Sequence, residues 1–324
     1  MPKSNDAPQA AQKKRRVPID GVLMLDKPVG LSSNQALGRI KWLLNAEKAG
    51  HTGTLDPFAT GLLPLCFGEA TKFSADLLNA DKSYRATMRL GQTTDTGDCD
   101  GQVTQERPVD PQLHASRAAL EAALQAFTGK ISQTPPMYSA LKRDGKPLYA
   151  YAREGITLER APRVVTIHAL ALVARDANEV ANDVVFDVRC SKGTYVRTLA
   201  EDIGERLGCG AHLVALRRTG IADITLDGAS TLSQFEALEE AARPAALQPV
   251  DALLSALPQV ALPAGDAVHL LQGRSISFVA LPLHRIGLMV RVYDPVGQLL
   301  GTARVLEEGT LQPVRLVKFT PPTQ

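Results

Sequence analysis

The chain has no apolar run approaching the roughly 18–20 residues needed to cross a bilayer among its 324 residues. Its first twenty residues carry Lys13-Lys14-Arg15-Arg16 and no apolar stretch, so they do not read as a secretory signal. Cysteine is sparse: Cys66, Cys99, Cys190 and Cys209 form no C-x-x-C pair, which argues against a structural zinc site. Reduced thiols in the cytoplasm are the expectation, with Cys66 and Cys190 filling core positions in β-prone surroundings. Charge of one sign is also missing. A net charge of +2 does not mark a nucleic-acid binder by composition, although locally clustered cations attract phosphate whatever the total. Six scattered histidines suggest no metal cluster.

What is present is an ordinary globular composition, 44% hydrophobic and 22% charged, in a chain long enough for two domains. Gly21-Val22-Leu23-Met24-Leu25-Asp26 reads as a buried strand, and Gly61 to Phe67 as another. Ser32 with Gln35 at the capping-box spacing starts a helix over about 33–45. A second helix is predicted near 69–80, a strand over 83–90, and a helix opened by Asp110-Pro111 with Leu113, Leu120, Leu124 and Phe127 on its apolar face. Residues 131–147 read as a long basic loop, 163–174 and 183–190 as strands, 193–207 as a strand end entering a helix stopped by Gly208, and 213–218 as a short strand. From about 251 the texture changes to short strands between Gly and Pro turns, including Leu270-Leu271-Gln272-Gly273-Arg274. The expected organisation is a disordered basic tail over 1–18, a main domain over 19–250 and a β-rich module over 251–324.

Three constellations carry chemistry. The first is Gly50-His51-Thr52-Gly53-Thr54-Leu55-Asp56-Pro57, one carboxylate in a glycine-studded loop ahead of a buried strand. Asp56 could serve as nucleophile, general base or metal ligand, or simply begin a turn. His51 is either a turn histidine or a planar wedge for an unstacked nucleotide. The second is Lys192-Gly193-Thr194-Tyr195-Val196-Arg197. An Arg197 on the surface would pair with Glu201 or Asp202; a functional one would meet a buried carboxylate and keep it ionised. The third is Lys82-Ser83-Tyr84-Arg85, in which Tyr84 between two cations could pack in the core or stack on a base. The basic loop with Tyr138, Lys142, Arg143 and Lys146 suits either RNA or solvent.

Together these segments resemble the TruB family of tRNA pseudouridine synthases. The matching pieces are Asp26 to Ser33, Gly50 to Pro57, Asp81 to Tyr84, Asp95 to Asp98, Pro135 to Lys142 and Lys192 to Arg197, in the family's order across roughly 20–250. Ser32 stands where Thr is more usual, a mild departure. The resemblance implies an α+β fold: a mixed, largely antiparallel sheet flanked by helices, then a small C-terminal PUA-like RNA-binding domain. It implies isomerisation of the T-loop uridine at tRNA position 55. Asp56 would attack the flipped base at uracil C6 or ribose C1′, after which the glycosidic bond breaks, the base rotates and a C–C bond forms. Arg197 would hold Asp56, and Tyr84 would pack on the base and assist proton removal at C5. His51 would fill space vacated in the T-loop, Tyr195 and Leu216 would line the uracil pocket, and Lys27 would be a basic substrate contact near the site.

By the same resemblance no cofactor or metal is needed, the partner is the tRNA T-arm stem-loop, and no obligate protein partner or membrane is involved. Acting on a base in a folded RNA requires extruding it, at a cost of a few kcal/mol that side-chain stacking offsets. Two other readings stand beside this one: an RNA-binding or RNA-folding module on the same scaffold, and a metal-dependent hydrolase built on Asp56 and His51, which a chelator would stop.

Overall fold

The computed structural model describes residues 16–112, 116–174, 180–277 and 286–318. Its centre is a ten-stranded sheet. The main path runs Ser230–Thr231, Gly21–Lys27, Thr60–Phe67, Ala211–Ile221, Lys82–Leu90, Asp183–Cys190, Arg163–Leu172 and Gly129–Gln133, with Ala49–His51 and Ile224–Thr225 paired alongside. Pairing is largely antiparallel. Two contacts are parallel: Leu25 and Asp26 against Ser230 and Thr231, and Thr60 and Gly61 against Arg217 and Arg218.

The two apolar runs are continuous because both of their faces are buried. Leu23, Leu25, Leu63, Leu65 and Phe67 join Ala36 and Ile40 of the Ser33–Leu43 helix on one side. Val22, Met24, Leu62 and Cys66 face Phe73, Leu77, Leu253 and Leu254 on the other. The first helix is capped as its sequence predicts, Ser32 accepting from the Gln35 amide while the Gln35 side chain accepts from Ser32 N. Leu199, Ala200 and Ile203 bury one face of the Val196–Arg206 helix, and Gly208, at φ +82°, turns the chain away from its end.

Several elements differ from expectation. The single helix near 69–80 is a 3-10 turn, Gly68–Lys72, followed by a short helix, Ser74–Asn79. Asp110 caps only its own turn, accepting from Gln112 N; the main helix is Arg117–Gln125, started afresh by Ser116, which accepts from Ala119 N. Leu113 lies outside the described residues. Within 131–147, Gly129–Gln133 is the edge strand of the sheet, and Lys142–Arg143 pairs with Lys146–Pro147 around Asp144 and Gly145, both at positive φ. Leu270 and Leu271 end a helix, Ala264–Leu271, rather than forming a strand. Most of the expected tail, residues 1–15, lies outside the described residues, but Val17 is already bonded to Asn45 and Glu47.

The second sheet runs Gln259–Ala261, Met289–Tyr293, Leu299–Val305, Thr310–Leu316 and Ile276–Ser277. It has its own core of Val260, Leu270, Val290, Val292, Leu300 and Leu311. It docks on the 68–79 segment: Lys72 Nζ donates to Leu316 O, Arg315 pairs with Asp76, and Leu299 and Val317 join the Val22–Phe73–Leu254 cluster. Among the described residues no helix is long and apolar enough to cross a membrane.

Candidate active site

The Asp56 loop is fixed from several sides. Leu55 N donates to Ser33 Oγ at 2.8 Å, and Ser33 Oγ donates to Leu55 O at 3.2 Å. Ala59 N donates to Asp56 O, closing a four-residue turn with Pro57 in its second place. Beneath the loop lies Arg218, 1% exposed, whose Nε donates to Leu62 O at 2.7 Å and whose Nη2 donates to Gly53 O at 3.1 Å. Gly61, at φ +102°, makes this parallel approach feasible: a Cβ there would sit 2.3 Å from Arg218 O. Leu55, Phe58 and Ala59 anchor the loop in the core.

Arg197, on the first turn of its helix, is the hub. Its Nη2 lies 3.1 Å from Asp56 Oδ2 and its Nη1 lies 3.2 Å from Asp98 Oδ2. Nη1 also donates to Thr96 O and Nη2 to Tyr138 O, at 2.9 and 2.7 Å. Glu201 and Asp202, the acids a surface arginine would have chosen, are not its ion-pair partners. Asp98 is buried and held in the 95–101 turn by Thr96 Oγ1 and Asp100 N.

Burial pushes the Asp56 carboxyl above its ordinary range, Arg197 pulls it back down, and Asp98 adds to the upward push. One guanidinium between two carboxylates thus opposes the upward push on Asp56 without cancelling it. Tyr84 sits opposite Arg218 in the strand register, and the guanidinium charge acts on its phenol. Burial raises the Tyr84 phenol, with Arg218 opposing. The cation at Tyr84 is therefore Arg218, not the flanking pair expected from sequence. Lys82 turns to the carbonyls of Leu77, Leu78 and Ala80, and Arg85 pairs with Asp187.

Asp56, Tyr84, Tyr195, Arg197 and Leu216 line one cavity of about 240 Å³, with Lys82, Ser139, Gly193 and Arg218 among the other residues of its wall. Tyr195 is set by its backbone, which exchanges hydrogen bonds with the Gln133 side chain. His51 lies outside this lining, at the end of the Ala49–His51 strand, its Nδ1 accepting from Gly53 N at 3.3 Å. Burial and the Arg218 charge lower its pKa, which favours a neutral ring.

Lys27 is fully buried, and its Nζ donates to the carbonyls of Pro28, Leu31 and Pro57. Burial lowers its pKa to about 8, with Asp56 opposing. It braces the backbone that carries Asp56 and presents no surface for substrate. In the basic loop, Lys146 is taken up by Glu154 and lies over the Tyr151 ring, leaving Lys142 and Arg143 as its exposed cations. Among the described residues no group of three or more His, Cys, Asp or Glu side chains is placed to hold a metal ion.

Sequence reasoning missed Asp98, Arg218 and Ser33 as parts of this site. Asp98 stood inside a quoted motif without a role. Arg218 carried one usable signal: a charged residue at an inward-facing position of the Ala211–Ile221 strand.

An Asp–Arg–Asp cluster with a buried arginine, beside a base-sized, tyrosine-walled cavity on a mixed, mostly antiparallel sheet, defines a candidate nucleobase-processing enzyme. Three family models cover nearly the whole described chain: TruB family pseudouridylate synthase, N-terminal domain, over 41–196; tRNA pseudouridylate synthase B C-terminal domain over 197–255; and pseudouridine synthase II TruB, C-terminal, over 258–317. A tRNA pseudouridine synthase B of Cupriavidus metallidurans is 57% identical over 96% of this chain and 99% of the relative. One of Burkholderia lata is 62% identical over 95% and 94%. Among solved structures, a Cbf5–Nop10–Gar1 complex contains a chain with TM-score 0.66 and 27% identity, covering 92% of this chain and 84% of that one. The chain belongs to the TruB family of pseudouridylate synthases.

Proposed function

We infer that this enzyme isomerises uridine to pseudouridine in tRNA, at the T-loop uridine of position 55, and that Asp56 is the reacting group. The observation that carries the assignment is the Asp56–Arg197 ion pair at 3.1 Å on the wall of a cavity that Tyr84, Tyr195 and Leu216 also line.

The target uridine leaves its stack and enters the cavity edge-on between the tyrosines and Leu216. Asp56, kept anionic by Arg197, attacks at uracil C6 or ribose C1′. The glycosidic C1′–N1 bond breaks, the uracil rotates, C5 bonds to C1′ and the bond to Asp56 is released; C5 loses its proton and N1 takes one up, so the product is an isomer and no co-reactant is consumed. Tyr84, oriented by Arg218, stands over the ring as stacking surface and proton acceptor or relay. Neutral His51, outside the cavity lining, wedges into the emptied loop. Lys142 and Arg143 and the C-terminal sheet contact backbone phosphates and set the register of the T-arm. On this reading a single chain acts on tRNA in the cytoplasm, and the C-terminal sheet is a PUA-like RNA-binding domain.

The test is release of tritium from C5-labelled uridine in an unmodified tRNA, with the modified position mapped by sequencing. One equivalent released per tRNA, mapped to the T-loop, is expected. No release sinks the assignment, and release from another position moves the substrate site.

A further inference from the structure

The only tryptophan of the chain is on the surface, far from any core function: Trp42 is 76% exposed. It occupies the last turn of the Ser33–Leu43 helix, whose opposite end is tied to the catalytic loop through Ser33 Oγ and Leu55. Nine residues at a rise of about 1.5 Å place Trp42 roughly 14 Å along the helix from that tie. An RNA with its target base at Asp56 has further nucleotides within that distance.

The helix carries no acidic residue. Its solvent face is a stripe at four-residue spacing, Asn34, Gly38 and Trp42, all exposed, and a side chain at Gly38 would meet nothing within 4 Å. Lys41 lies in the last turn and Lys48 is exposed just beyond it. Arg16 is pinned there as well, donating to Ala46 O. Arg39 is taken up by Glu236, and Glu47 is the local acid. The result is a flat, polar and basic face around a single exposed indole. An indole among cations is a platform for an unpaired nucleobase.

We propose that the outer face of the Ser33–Leu43 helix is a second RNA-contact surface, on which Trp42 stacks on an unpaired base of the substrate tRNA outside the catalytic cavity while Lys41, Lys48 and Arg16 meet the adjoining phosphates. The proposal rests on the substrate being RNA, as inferred above, but not on the chemistry at Asp56.

Because Trp42 is the sole tryptophan, its fluorescence reports on this surface alone. Titration with unmodified tRNA is expected to quench the emission and to shield it from acrylamide. Trp42→Ala should weaken tRNA affinity roughly 5- to 100-fold, the range of one lost base stack. Turnover at saturating tRNA should stay unchanged, and Trp42→Phe should recover most of the affinity. A T-arm hairpin run in parallel locates the base: quenching by tRNA alone places it outside the T-arm, quenching by both places it within. Emission and acrylamide access that saturating tRNA leaves unchanged overturn the proposal, as does a Trp42→Ala affinity within two-fold of wild type. A Trp42 already shielded in the RNA-free protein overturns it too, in favour of contact between two copies of the chain. Pseudouridine formation with Trp42 untouched defeats this surface alone; Trp42 quenching without pseudouridine formation defeats the catalytic reading alone.

Discussion

Arg197 and Asp98 form a buried ion pair, Nη1 to Oδ2 at 3.2 Å, on the far side of the guanidinium from Asp56. The pair gives Arg197 a fixed plane: Asp98 and Thr96 O hold one nitrogen, so the other is aimed at the reacting carboxylate. Removing the Asp98 charge frees that plane without touching the cavity. Asp98→Asn is therefore expected to lower kcat by about ten- to a hundred-fold, the cost of a misplaced charge-assisted contact, with little change in tRNA affinity. Single-turnover rates at saturating tRNA measure it; a wild-type rate would show that Arg197 is positioned without Asp98.

Asp56→Asn should abolish turnover and leave tRNA binding within a few-fold, since only the reacting group changes. Its effect on stability has a definite sign. The folded carboxyl titrates above the ordinary 3.8 of an unfolded aspartate because burial outweighs Arg197. Between those values the folded state binds more protons, so ionised Asp56 costs stability at neutral pH, and the cost is relieved as pH falls through the folded value. The amide variant escapes it and should melt no lower than wild type at pH 7. In the active enzyme the same shift sets the acid limb of the kcat profile, lost as pH falls through a value above 3.8. A limb at or below the ordinary value would refute this balance.

Arg197→Lys replaces a four-contact fork by one point charge. Asp56, Asp98, Thr96 O and Tyr138 O cannot all be reached by a single ammonium. Turnover is expected to fall by two orders of magnitude or more, and the acid limb to move upward as Asp56 loses its nearest counter-charge. A rate within ten-fold of wild type would contradict the hub role.

Much of this arrangement is legible in the sequence where local rules apply. The runs at 22–25 and 61–67 are apolar throughout because both faces are covered, and the Ser32–Gln35 box fixes a helix start by itself. The order of the Asp56, Tyr84 and Arg197 segments pointed to one site. What was not legible depends on register between distant strands. Nothing near Asp98 says that its turn meets the helix at 196, and nothing near Arg218 says that its strand runs parallel to Thr60 and Gly61. The burial of Lys27 is not legible either, because burial is a property of the assembled loop, not of its neighbours in sequence. Leu270-Leu271 was misassigned because a short apolar run fits helix and strand alike.

Arg218 is tested through stability. Arg218→Met fills similar volume but withdraws the donors to Gly53 O and Leu62 O and the partner of the Tyr84 phenol. Buried acceptors left unpaired cost about 1–3 kcal/mol each, so thermal melting should fall by several degrees and turnover should drop as the loop loosens. Unchanged melting would mean that water replaces the guanidinium without loss.

Removing the second sheet separates positioning from chemistry, but the cut must respect the core. Leu253 and Leu254 are 5% and 2% exposed and pack with Val22 and Phe73, so a cut at 251 would open the main domain. A chain ending at Leu257 keeps them and loses only Leu299 and Val317 from that cluster. Such a chain should fold with a modestly lowered melting point, keep Asp56, Tyr84 and Arg197 in place, and bind tRNA more weakly. It should retain most of its single-turnover rate at saturating tRNA. Loss of phosphate contacts also predicts a shallower dependence of log affinity on log salt, by roughly one unit per contact removed. Affinity and salt slope equal to those of the full chain would assign the second sheet to something other than RNA.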